Sequence, residues 1–146
     1  MYGWETRRSN ILIFYLLSLI VTVILSGGCS MRHVVHVDNS KFFRKLMKIF
    51  LNELGLACDG YDLGDDALSA VMTGEVSCVI TGLELPDMSG EKLISRIIAF
   101  APSALTIIVV TSSAHDEERV KALESMGVKA TIQKAGDWKE KLREHF

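Results

Sequence analysis

One pattern constrains this chain more than any other. Along residues 31–146, five short runs rich in β-branched residues alternate with stretches whose apolar positions recur at the helical period. His33–Val37, Val76–Thr81, Leu105–Val110 and Ala130–Gln133 read as strands, and Leu56–Gly60 as a weaker one. In Lys41–Leu54, Phe43, Met47, Phe50 and Leu54 share one helical face, widened by Phe42, Leu46 and Ile49. Gly55 stands where a C-terminal cap belongs. Asp65–Met72, Glu91–Phe100, Asp116–Met126 and Trp138–His145 complete the helices, and Asp116 opens an acidic first turn. Strands joined by crossover helices run parallel, with right-handed connections. The expected product is a three-layer α/β/α sandwich whose site lies beyond the carboxyl ends of its strands.

Residues 1–30 do not belong to that pattern. Residues 11–25 read ILIFYLLSLIVTVIL, and no charge occurs between Arg8 and Arg32. A spanning helix needs about 20 mostly apolar residues, so residues 11–28 fit a membrane anchor. Two other readings stay open. Arg7 and Arg8 resemble the start of a cleaved leader, with Cys29 as an acylated residue, although Ser26 stands where a leucine-like residue is usual. Alternatively, Met31 is the true start, because the strand–helix pattern begins immediately after it. Lysines and arginines are frequent after the run, which keeps residues 31–146 in the cytoplasm, at the inner face of the membrane if the anchor is real.

Charge narrows the function classes. Sixteen Lys+Arg against 18 Asp+Glu give a net charge of −2, unlike a nucleic-acid binder that lives on phosphate contacts. Three cysteines, Cys29, Cys58 and Cys78, are too few and too scattered for a disulfide scaffold or a tetrahedral zinc site. Cys58 and Cys78 read as small buried hydrophobes, and His36, inside a strand, as a packed or edge histidine.

The strand ends carry the chemistry. Asp38 and Asn39 follow the first strand, Gly82 and LELPDMSG the third, Thr111 and Ser112 the fourth, and Lys134 the fifth. Each has a blander reading: Asp38 as a helix cap beside Asn39 and Ser40, Thr111 as a turn hydroxyl, Lys134 as a solvated cation. Together they place a carboxylate, a hydroxyl and a lysine on one sheet edge.

The strings VDNSKFFRKLMK, VITGLELPDMSGEKLI, IIVVTSS and TIQKAG resemble, in order, the signature segments of the response-regulator receiver family, usually VDDS, VxxDxxLPxMDGxxLI, VLTA and xxxKPF. The resemblance spans essentially all of residues 31–146. It implies a flavodoxin-like receiver fold with strand order 2-1-3-4-5. It also implies two-component phosphorelay signalling, in which a partner histidine kinase passes a phosphoryl group to an aspartate after the third strand. In the family a magnesium-like ion is held by the second acidic residue after strand one, by the acceptor and by a backbone carbonyl. The lysine and the Thr/Ser hydroxyl bind the phosphoryl oxygens.

The departures fall on that chemistry. The acceptor position is Gly82 and the second acidic position is Asn39. Where the family often carries an aromatic residue three before the lysine, this chain has Thr131, and in place of the proline after the lysine it has Ala135. Asp38, Asn39, Gly82, Thr111 and Lys134 therefore read as a vestigial phosphorylation pocket, with Asp38 as a weak metal ligand at most and the family ion lost. Fewer crowded carboxylates relieve repulsion on the order of 1 kcal/mol, and Lys134 is left to pair with Asp38. The resulting expectation is a non-enzymatic pseudo-receiver that works through contacts with a histidine kinase, another receiver or an effector. Residues 116–146 are its family-type surface for contacts or homodimerisation. The alternative is a phosphorylatable receiver with a non-standard acceptor, or an active member altered at position 82. That last option leaves Asn39, Thr131 and Ala135 unexplained. Asp87, near the pocket, reads as shaping the loop with Pro86.

Overall fold

The computed structural model describes residues 13–18, 20–21, 32–101, 104–113 and 116–146. The chain divides into two units, Met1–Ser30 and Met31–Phe146. In the first, residues 13–18 and 20–21 are helical. Among the described residues, no helix is long and apolar enough to cross a membrane. Cys29 and most of residues 11–28 lie outside the described residues.

The second unit alternates strand and helix throughout. Its elements are β1 (His33–Val37), α1 (Lys41–Glu53), β2 (Ala57–Tyr61), α2 (Gly64–Thr73), β3 (Val76–Thr81), α3 (Gly90–Phe100), β4 (Thr106–Thr111), α4 (Glu117–Ser125), β5 (Ala130–Gln133) and α5 (Trp138–Arg143). All strand pairs are parallel, in the order β2-β1-β3-β4-β5. β2 and β4 each lie one residue later than their apolar runs suggest, since pairing with β1 and β3, not hydrophobicity, sets their ends.

Alternation along the buried strands sends side chains to two cores. On one side, Val34, Ile80, Ile108 and Ile132 meet Phe43, Met47, Phe50 and Leu51 of α1 and Trp138 and Leu142 of α5. On the other, Val35, Val37, Val79 and Val109 meet Ala67 and Val71 of α2, Leu93, Ile94 and Ile97 of α3, and Leu123 of α4. Cys58 and Cys78 both pair with Val34 in the first layer, and burial pushes each thiol up to about 12.

Local chemistry fixes the helix ends. Ser40, Ser89 and Asp116 cap α1, α3 and α4 by accepting from Phe43 N, Lys92 N and Glu118 N. Gly55 and Gly127 take φ of 76° and 101° just past α1 and α4, a region that β-carbons disfavour. One expectation fails on α1: Phe42 and Ile49 do not widen the buried face. They are 72% and 58% exposed, because the stripe that meets the sheet runs through Phe43, Met47, Phe50 and Leu51.

Candidate functional site

Register assembles the site. Val37 pairs with Thr81, Thr81 with Val109, and Thr111 with Gln133, so the next residues of β1, β3 and β5 emerge side by side. Asp38, Asn39, Gly82, Thr111 and Lys134 all line one hollow, joined by Glu84, Ser112 and Ser113. Its volume is about 30 Å³, room for a water molecule or two.

An ion pair closes its floor. Lys134 Nζ lies 2.6 Å from Asp38 Oδ2, and the two side chains are 17% and 1% exposed. The other carboxylate oxygen, Asp38 Oδ1, accepts from Ser40 N at 2.8 Å. Asp38 therefore orients the residue that caps α1, and Ser40 is the cap itself. Arg44 Nη1 donates to the Asp38 carbonyl at 2.6 Å. The lysine also sits over the Phe43 ring, 4.2 Å from its centroid. Carboxylate and aromatic face thus hold the ammonium from two sides.

Gly82 faces this pair. Its N–H donates to Val37 O at 2.8 Å, and its carbonyl accepts from Thr81 Oγ1 at 2.8 Å. A Cβ at position 82 would stand 3.2 Å from Asp38 Oδ2. Any side chain grown there begins against the carboxylate that Lys134 neutralises.

The remaining residues are arranged around the rim. Thr111 is buried at the end of β4, and its Oγ1 accepts from Ser113 N at 3.1 Å. Ser112 and Asn39 are exposed. Ser113 Oγ donates to Glu84 Oε1 at 3.3 Å, which brings in a carboxylate that motif reading passes over. Glu84 lies two residues beyond Gly82, and that spacing from the strand end is the only sequence signal for it.

Asp87 does more than shape its own loop. Its two oxygens accept from Gly64 N and Asp65 N at 2.8 and 3.0 Å, supplying the cap that Leu63 lacks at the start of α2. Those two backbone donors hold its carboxyl below the usual range.

Beneath the ion pair, on the face of β1 turned toward α1 and α5, His36 is fully buried. Its ring meets Phe43 edge-on with centroids 5.7 Å apart, and neither ring nitrogen has a hydrogen-bond partner. Burial lowers its pKa to about 4; the Asp38 charge opposes that shift, and Lys134 and Arg44 reinforce it. His33, by contrast, reaches solvent and bonds Asp59 Oδ2 at 2.8 Å.

Comparison with known proteins agrees with the fold. A family model described as "Response regulator receiver domain" matches residues 34–145. Over 92 residues, or 63% of the chain, it is 32% identical to the sensor histidine kinase RcsC of Escherichia coli K12 and 30% identical to that of Salmonella typhimurium. The chain spans about 10% of the length of these relatives. Among solved structures, a response regulator receiver protein from Pseudomonas putida superposes with a TM-score of 0.71 at 27% identity, covering 79% of this chain and 95% of that one. The response regulator TrrA of Thermotoga maritima, in complex with Mg(2+)-BeF, gives 0.68 at 25% identity, covering 80% and 100%.

Proposed function

The chain belongs to the response-regulator receiver family of two-component signalling, and from that premise we propose that it is a pseudo-receiver, signalling through protein contacts without accepting a phosphoryl group. One observation carries this reading. The lysine that would meet a phosphoryl oxygen is spent on Asp38 at 2.6 Å, opposite a residue with no side chain to phosphorylate. The pair occupies the frame of the site, so a phosphoryl group there would have to draw Lys134 away from Asp38.

The donor set does not fit a magnesium-like ion either. Such an ion takes carboxylate oxygens at near-octahedral geometry. Gly82 offers none, Asn39 is a neutral amide, and both Asp38 oxygens already accept from an ammonium and an amide. No step of this function is therefore routed through a metal.

With the chemistry absent, the surface is what remains to carry information. Family receivers work with histidine kinases and other proteins of the relay, and we assign this chain the same class of partner. Among the described residues of the domain, the large exposed apolar side chains are Phe42, Ile49, Met72, Ile98 and Phe100. None falls within 116–146, the segment that the family pattern nominates. Phe42 and Ile49 lie on α1 beside exposed Lys41, Lys45 and Lys48, a mixed apolar and basic face suited to a partner with acidic residues around an apolar centre.

The test is direct. The full chain is incubated with a low-molecular-weight acyl phosphate and magnesium, and its intact mass is followed. An unchanged mass is expected, whereas a gain of one phosphoryl group overturns the proposal. Glu84 at the pocket rim favours a second reading, in which a neighbouring carboxylate serves as acceptor. A phosphoryl gain abolished by Glu84→Gln establishes that reading.

A further inference from the structure

The opposite edge of the sheet presents a second hollow, at the amino ends of the strands. It measures about 270 Å³ and lies between Arg32 before β1, Ser77 of β3, Thr106 of β4, Lys129 before β5, and His145 and Phe146 after α5. Its lining is basic, with no acidic side chain. Among the described residues, Arg32, Lys129 and His145 make no ion pair, although the domain pairs His33, Lys134, Arg96, Arg119 and Lys141 elsewhere.

Charges of one sign gathered around a concavity focus the field inside it and favour a counter-ion there. Two features suggest more than a diffuse anion cloud. Thr106 adds a hydroxyl to the lining, so the hollow offers a neutral donor as well as cations, while the Ser77 hydroxyl is already donated to His33 O at 3.2 Å. Phe146 is half-buried and packs on the core, giving the wall an apolar side. A guanidinium fork, an ammonium and a hydroxyl lining one space form the donor set that a tetrahedral oxyanion takes up.

We propose that this hollow binds a phosphate-bearing anion, with Arg32 and Lys129 supplying the charge and Thr106 an orienting hydroxyl. The site lies at the far end of the strands from the Asp38–Lys134 pair and does not depend on whether that pocket can be phosphorylated. The phosphate can come from solution or from a lipid headgroup, and Arg32 lies seven residues beyond the apolar run that ends at Leu25.

The experiment uses the isotope-labelled full chain and two probes at constant ionic strength, inorganic phosphate and vesicles containing phosphatidylglycerol. The proposal expects saturable shifts at the amides of Arg32, Ser77, Thr106 and Lys129, half-complete near about 1 mM phosphate. It also expects at least a tenfold loss of affinity in the double variant Arg32→Gln, Lys129→Gln. Lys92→Gln, Lys121→Gln on α3 and α4, which removes the same charge elsewhere, should bind as the parent does. Shifts with phosphate alone assign a soluble ligand. Vesicle binding that exceeds binding to phosphatidylcholine vesicles, and that the first double variant abolishes, assigns a lipid headgroup. Shifts that do not saturate, that chloride reproduces, or that both double variants weaken equally overturn the site.

Discussion

The two ends of the β-sheet solve opposite electrostatic problems. At the carboxyl ends, Asp38 and Lys134 are nearly withdrawn from water and cancel each other at 2.6 Å, and the hollow above them is about 30 Å³. At the amino ends, Arg32 and Lys129 stay exposed around about 270 Å³ and make no ion pair among the described residues. On the proposed reading, a sheet edge whose charges cancel in an internal ion pair gains a fixed structure and loses capacity to bind an ion. An edge that leaves its charges uncancelled keeps that capacity and does little for stability.

Removing one charge from each end tests the contrast most severely. Lys134→Met leaves Asp38 buried without its cation, at a cost of about 3 kcal/mol or more. Arg32→Gln, which strands no buried partner, should move stability by less than about 0.5 kcal/mol. Urea unfolding of both variants reads the difference. Similar losses would mean that the ion pair is worth no more than a surface charge.

Acid titrates the same end from below. The folded state holds His36 neutral down to about pH 4, whereas the unfolded chain protonates it near 6.5. Protons therefore favour unfolding: this contribution is intact above 6.5 and erodes as pH falls toward 4, reaching about 3 kcal/mol. His36→Leu removes both the slope and two unpartnered nitrogens, so its stability should exceed the parent's most clearly near pH 4.5. An unchanged slope in that variant would move the acid sensitivity to other groups.

The smallest effect concerns the loop between the pocket and α2. Asp87→Ala removes the acceptor for Gly64 N and Asp65 N and should cost about 1 kcal/mol. In the parent, protonating this carboxylate at low pH undoes the same cap, since its pKa lies below the usual range when folded. Amide exchange at Gly64 and Asp65, faster in the variant than in the parent, is the local measure.

Sequence alone carries the architecture because its determinants are local. β-branched runs, the Phe43–Met47–Phe50 stripe and the Ser40 and Asp116 caps each act within a few residues. The convergence of Asp38, Gly82, Thr111 and Lys134 is also legible, since a parallel sheet forces successive strand ends onto one edge. Partners set by tertiary approach are not. Nothing in FFRKLMK tells that Phe43 lies beneath an ammonium contributed 91 residues later, or that Phe42 beside it faces solvent. Asp87 reaches a helix start 23 residues earlier, across a contact that no local pattern encodes. His36 carries no sign of its isolation, because a strand position shows which face a side chain takes but not whether a donor awaits it there.

The two thiols flanking Val34 make this domain its own stopwatch. Sealed in the layer and held at about 12, Cys58 and Cys78 are almost wholly unreactive while the sheet is closed. In a Cys29→Ser background, alkylation then reports openings that lift α1 and α5 from the sheet, at a rate set by the open population when closing outpaces the reagent.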